Sequence, residues 1–139
     1  MSITVNANLR NVNALNNNFM DVEVPLSFSG SYSTGGDGLN LASVIQDLPT
    51  QEIISAWCSS NSSTNTALGQ AGGAYVPQGQ PGPFGGTNNV NGIAATAPAS
   101  WKLKAFTSGS TELSAGAYPA SVTSDYVILH LRLRKLGAL

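Results

Sequence analysis

The chain is predicted to be all-β, an antiparallel sandwich or barrel. Three observations carry that expectation: short runs with period-two alternation, turn signals every ten residues or so, and no convincing helix longer than two turns. The strongest run closes the sequence. Val127, Leu129, Leu131 and Leu133 alternate with Tyr126, Ile128, His130, Arg132 and Arg134, which predicts a strand whose apolar face is central to the core.

Along the chain, Ile3, Val5, Ala7 and Leu9 alternate with Thr4, Asn6 and Asn8 at strand spacing. The Asn-rich stretch that follows is a poor helix, because the Asn side chain competes for backbone groups. Residues 1–20 are therefore read as an extended N-terminal arm, and residues 21–139 as one domain. Val22, Val24, Leu26 and Phe28 share a face opposite Asp21, Glu23, Pro25, Ser27 and Ser29. Pro25 lacks an N–H, so this strand is expected at an edge or a bulge. Gly35-Gly36-Asp37-Gly38 reads as a turn, and Leu39 to Val44 as a short strand or a single helical turn. Gln51 to Cys58 is an apolar run read as a core strand, with Trp57 inside. Residues 59–99 form a long Gly/Asn/Pro-rich irregular insertion, with weak strands expected near Thr66–Leu68 and Ala74–Val76. Within it, the piece from Gly79 to Gly86 is expected to be an exposed loop. Trp101, Leu103 and Ala105 then point one way, and Lys102 and Lys104 the other.

Composition narrows the function. The chain has 139 residues, enough for one core. Charged residues make up 9%, against roughly 25% in ordinary soluble domains. A surface of Asn, Ser, Thr and Gly has weak long-range fields and can approach copies of itself with little repulsion. A net charge of -1 and six Lys and Arg in all argue against nucleic acid, which needs clustered cations. The cluster His130, Arg132, Arg134 and Lys135 reads as the polar face of a strand. No apolar stretch approaches the ~20 residues that span a bilayer. The N-terminus has neither the basic start nor the apolar run of a signal peptide, so synthesis in the cytosol without export by that route is expected.

Catalytic and metal chemistry are weighed by elimination. His130 is the sole histidine and Cys58 the sole cysteine, too few for the usual zinc sets and without a nucleophile on a sharp turn for a triad. Cys58 is expected to be a small buried hydrophobe. Asp37 has no Asp-x-Asp partner for calcium, and the glycine runs lack Gly-Lys-Ser/Thr. No catalytic residue, cofactor or metal is expected. Trp57 and Trp101 are assigned to the core, whereas Tyr75 and Phe84 fall in loop sequence, where an exposed aromatic suggests a partner contact.

The run from Leu26 to Leu41, with its strand, Gly-Gly-Asp turn and Leu-Asn-Leu stretch, resembles small structural proteins of tailed bacteriophages. So do Trp101–Phe106, Glu112–Pro119 and the closing strand. The resemblance spans residues 24–46 and 100–136 and leaves the N-terminal arm and central segment uncovered. It implies a capsid decoration (cement) protein with a β-sandwich resembling a jelly roll. Such a protein sits on the outer capsid, binds the major capsid protein and itself, with a trimer favoured, and carries no catalytic residues. The localisation implied is the virion surface after synthesis in the host cytoplasm. Partner-contact candidates are Ile3, Val5, Leu9, Val12, Leu15, Phe19, Tyr75 and Phe84. An enlarged segment at 69–92 departs from the pattern. The rival expectation is a head-fibre or tail receptor-binding or carbohydrate-binding module, with its site among loop aromatics and amides at 70–92.

Overall fold

The computed structural model describes residues 3–16, 18–60, 75–87, 91–106, 111–123 and 125–135. In chain order these form β1 (Ile3–Val5), β2 (Asn11–Ala14), β3 (Phe19–Phe28), β4 (Ser31–Tyr32), β5 (Asp37–Leu39), the four-residue helix α1 (Ala42–Ile45) and β6 (Thr50–Ser60). Then come β7 (Tyr75–Gln78), β8 (Gly82–Pro83), β9 (Trp101–Ala105), β10 (Gly116–Ala117), α2 (Ala120–Thr123) and β11 (Val127–Lys135). All the pairings among them are antiparallel. The protein is all-β, built of curled antiparallel sheets.

The main sheet runs β1-β3-β11-β6-β8, with β2 also on β3; a second sheet runs β5-β9-β7, and β4 pairs with β10. The closing strand lies where its leucines predict. Val127, Leu129, Leu131 and Leu133 are fully buried, with β3 on one side and β6 on the other. They join Val22, Val24 and Leu26 of β3 and Leu39, Trp101, Leu103 and Tyr75 of the second sheet in one apolar cluster. Leu39 to Val44 supplies both of its predicted alternatives, the end of β5 and then α1.

Pro25 determines how the N-terminal edge is laid. Its carbonyl accepts the Asn6 N–H at 3.0 Å, so the proline nitrogen faces the same edge and offers no donor. There the edge strand breaks. β1 pairs up to Val5 opposite Leu26, and pairing resumes only at Asn11 opposite Glu23. Between them Ala7–Leu9 turns as a 3-10 helix. The strand containing Pro25 is thus interior to the sheet, and its proline sits at a gap in the neighbouring ladder.

Trp57 corrects the expectation of a core strand from Gln51 to Cys58. Leu133 pairs with Ile53 but Arg132 pairs with Ser55, a register shift that leaves Ile54 as an extra residue. Such a bulge inverts the inside–outside phase of everything after it. Cys58 therefore points inward and is buried, while Trp57 turns outward and is 43% exposed. Burial pushes the Cys58 thiol up to about 12, which makes it a poor nucleophile.

The second weak strand is present as β7, and the first lies outside the described residues. The piece from Gly79 to Gly86 is not a free loop. Gly82 and Pro83 pair with Ile53 and Glu52, and a Cβ at Gly79 would sit 2.3 Å from the Trp101 ring. Glycine is needed at 79 for that close approach and at Gly36 for a φ of +107°.

Three tyrosines tie the connecting segments to carboxylates. Tyr118 donates its hydroxyl to Asp37, which also accepts the Ser33 N–H at 3.0 Å. Tyr32 donates to Glu112 at 2.6 Å, and Tyr75 to Asp125 at 2.7 Å. Burial, reinforced by the Glu112 carboxylate, pushes Tyr32 up to about 12, and burial beside Asp37 raises Tyr118. Glu112 is lowered by the Tyr32 hydroxyl and the Gly35 N–H. The signs give two pH limits. A tyrosine raised in the fold stabilises fully below its unfolded pKa of 10.0, and that contribution is lost as pH climbs toward the folded value. A lowered carboxylate stabilises above its unfolded 4.5 and loses this as pH falls through the folded value. Thermal melts across pH are expected to show a plateau between these limits. Tyr32→Phe should blunt the alkaline fall, and Glu112→Gln the acid one.

Candidate contact surface

The described part of the proposed arm lies along the sheet, and Arg10 pins its middle. The Arg10 guanidinium donates to the Val44 carbonyl at 2.9 Å and to Asp47 Oδ1 at 2.7 Å, bridging to the end of α1. Asn6 Nδ2 donates to the Pro25 carbonyl and to Ser27 Oγ. At the far end Asn16 Oδ1 accepts the Asn18 and Phe19 N–H groups at 2.7 and 2.9 Å. That Asx-type turn folds β2 back onto β3 as a hairpin. Asn16-Asn17-Asn18 was its sequence signal, since Asn side chains mimic a turn backbone.

This anchoring separates the contact candidates. Leu9, Val12 and Leu15 are 63%, 38% and 47% exposed, held on a sheet edge with apolar groups toward solvent. Ile3 is buried in the protein's own core, and Val5 packs against it half-buried. Phe19 lies half-buried with the Arg134 guanidinium 5.2 Å above its ring. Tyr75 is corrected outright: it is buried on β7 and stacks on Phe28 with centroids 5.4 Å apart. Its neighbours in sequence are loop-like, but its partner ring comes from β3. Phe84 is half-buried beside Ile45, Leu48 and Pro98 in an open apolar hollow of about 390 Å³.

No family model, curated protein or solved structure matches the chain.

The outer face of the main sheet carries the predicted polar strand face and one arrangement that sequence reasoning missed. Arg132 makes a two-pronged bond to Asp21 at 2.9 and 3.0 Å, and Arg134 reaches Glu52 at 2.5 Å. Beside them the Trp57 and His130 rings stack with centroids 5.0 Å apart and 4° between planes. His130 Nε2 lies 2.8 Å from Ser59 Oγ, and Nδ1 lies 3.6 Å from Glu23. This is the order of a nucleophile–base–acid relay. Ser59, however, lies within the β6–β11 ladder opposite Ile128, not on the sharp turn that exposes a nucleophile beside oxyanion donors. Among the described residues no three His, Cys, Asp or Glu side chains gather to hold a metal, and no helix is long and apolar enough to cross a membrane. Only the Ile54 bulge brings Trp57 to His130, so pattern alone could not have found the pair.

Charge is concentrated in internal contacts. Arg10, Arg132 and Arg134 are matched to Asp47, Asp21 and Glu52, and Asp37, Glu112 and Asp125 each accept a tyrosine hydroxyl. The N-terminal edge itself, Asn11 to Ala14, has no charge at all.

Proposed function

We propose that this chain is a non-enzymatic bacteriophage structural protein that binds the outside of an assembled capsid and braces neighbouring major capsid protein subunits. It would associate with copies of itself and reside in the virion after synthesis in the host cytoplasm. The observation that carries the reading is that three aliphatic side chains of one segment, Leu9, Val12 and Leu15, are exposed along a sheet edge whose strand, Asn11 to Ala14, carries no charge. Each such side chain contributes roughly 1.5–3 kcal/mol when a partner fully buries it. A protein that binds only the assembled shell stabilises that shell by mass action, and it needs contact area in place of a pocket. The resemblance of residues 24–46 and 100–136 to small phage structural proteins points the same way. The finer architecture we propose is a sandwich resembling a jelly roll, supported by the apolar cluster that side chains of both larger sheets share.

Replacing Leu9, Val12 and Leu15 together by Ser tests this without removing β1 or β2. The variant should keep its melting temperature within a few degrees, because these side chains are exposed in the free chain. Its occupancy on particles should fall at least about tenfold. Undiminished occupancy would refute the role.

One observation favours a second reading, a glycan-binding module. Trp57 presents a partly exposed indole on the outer sheet face, stacked on His130, which Ser59 and Glu23 flank, and aromatic rings with nearby polar groups suit sugar rings. Glycan-array binding that Trp57→Ala abolishes would favour this reading over capsid bracing.

A further inference from the structure

β2 leaves main-chain groups facing away from its own sheet, and their positions follow from its ladder with β3. Leu15 donates its N–H to Phe19 at 3.1 Å, in the same register that pairs Asn13 with Asp21 and Asn11 with Glu23. In an antiparallel ladder, residues bonded to the neighbour alternate with residues facing outward. Asn11, Asn13 and Leu15 therefore bond β3. Val12 and Ala14 direct N–H and C=O to the other side, where no described strand lies.

We propose that this edge pairs with the same edge of a second copy, antiparallel about a two-fold axis at Asn13. This deepens the contact surface assigned above and rests on that reading only for its self-association. The register is self-complementary: Val12 of each copy exchanges main-chain bonds with the second copy's Ala14. The two Asn13 side chains face each other across the axis, and a carboxamide both donates and accepts. Edge strands are ordinarily guarded by lysine, proline or inward charge; Asn11-Val12-Asn13-Ala14 has none of these. The nearest cation, Arg10, is bound to Asp47, so like copies meet without repulsion. Val12 and Leu15, exposed in one copy, gain cover from the other. A strand of another protein could use the same groups, but only an identical strand supplies this symmetry without further requirements.

Val12→Pro is the direct test, because its N–H points outward and the β2–β3 bonds come from other residues. Sedimentation of the wild-type chain across a wide concentration range should reveal a species of twice the 14.3 kDa chain mass. Val12→Pro should weaken that dimer at least about tenfold with its melting temperature retained. Asn13→Lys, which sets two cations on the axis while facing Asp21 within each chain, should weaken it likewise and recover in high salt. Should Val12→Pro fail to fold, Asn13→Lys still decides. A monomer at all concentrations, a trimer, or a dimer indifferent to both variants would overturn the proposal. The two readings separate: a monomer that still binds particles refutes only the dimer, and a dimer that ignores particles refutes only capsid bracing.

Discussion

Leu131→Ala is expected to lower the unfolding free energy by about 2–5 kcal/mol, the range for emptying a well-packed aliphatic site. Leu131 is fully buried on the strand flanked by β3 and β6, opposite Val22 and Ala56. Ladders hold both flanking strands, so the backbone cannot collapse into the space that the side chain leaves. For a domain of this size such a loss approaches half of the total stability, typically about 5–15 kcal/mol. Urea melts should show a midpoint well below wild type with an unchanged slope. Arg132→Ala, one residue away on the solvent face, should cost far less, because water screens its exposed ion pair with Asp21. Equal effects at the two positions would mean that the inside–outside phase of β11 is wrong.

Asp37→Ala should rank second, at about 3 kcal/mol, because hydrogen bonds to a charged group are worth about 1.5–3 kcal/mol each. Its carboxylate is buried and accepts from Tyr118 and from the Ser33 backbone. Removing it leaves two donors without their acceptor at the point where β5 leaves the glycine turn. Tyr118→Phe deletes one donor and keeps the ring, which packs edge-on against Phe28 and Tyr32. It should therefore cost less, about 1 kcal/mol. Chemical denaturation of the two variants, and of the double variant, measures the coupling; additive losses would show that the Tyr118–Asp37 bond contributes nothing.

How much of this was legible depends on whether the deciding partner was local. The alternation in β3 and β11 was visible because each strand buries one full face, and period two then has no competitor. Pattern alone misplaces Trp57, because Ile54, an apolar residue in an apolar run, gives no local sign that it is the bulge. Tyr75 is misplaced for the converse reason: its glycine-rich neighbours signal a loop, while Phe28 and Asp125, far away in sequence, hold it in the core. The N-terminal stretch reads as extended, which β1 and β2 are. Its attachment is not legible there, because it depends on Arg10 reaching α1 and on Asn16 closing a hairpin. Of the contact candidates, Leu9, Val12 and Leu15 are exposed and share one segment, whereas Ile3 and Tyr75 face inward. Exposure was legible where Asn flanked an isolated aliphatic residue, and illegible where a distant ring covered it.

The most direct test of the account is an electron-microscopy map of intact particles that carry this protein. It should place the chain on the outer shell, at junctions between major capsid subunits, with the Leu9–Leu15 segment buried in a protein contact. Density confined to a tail or fibre tip, or a shell-bound copy whose N-terminal edge faces open solvent, would contradict it.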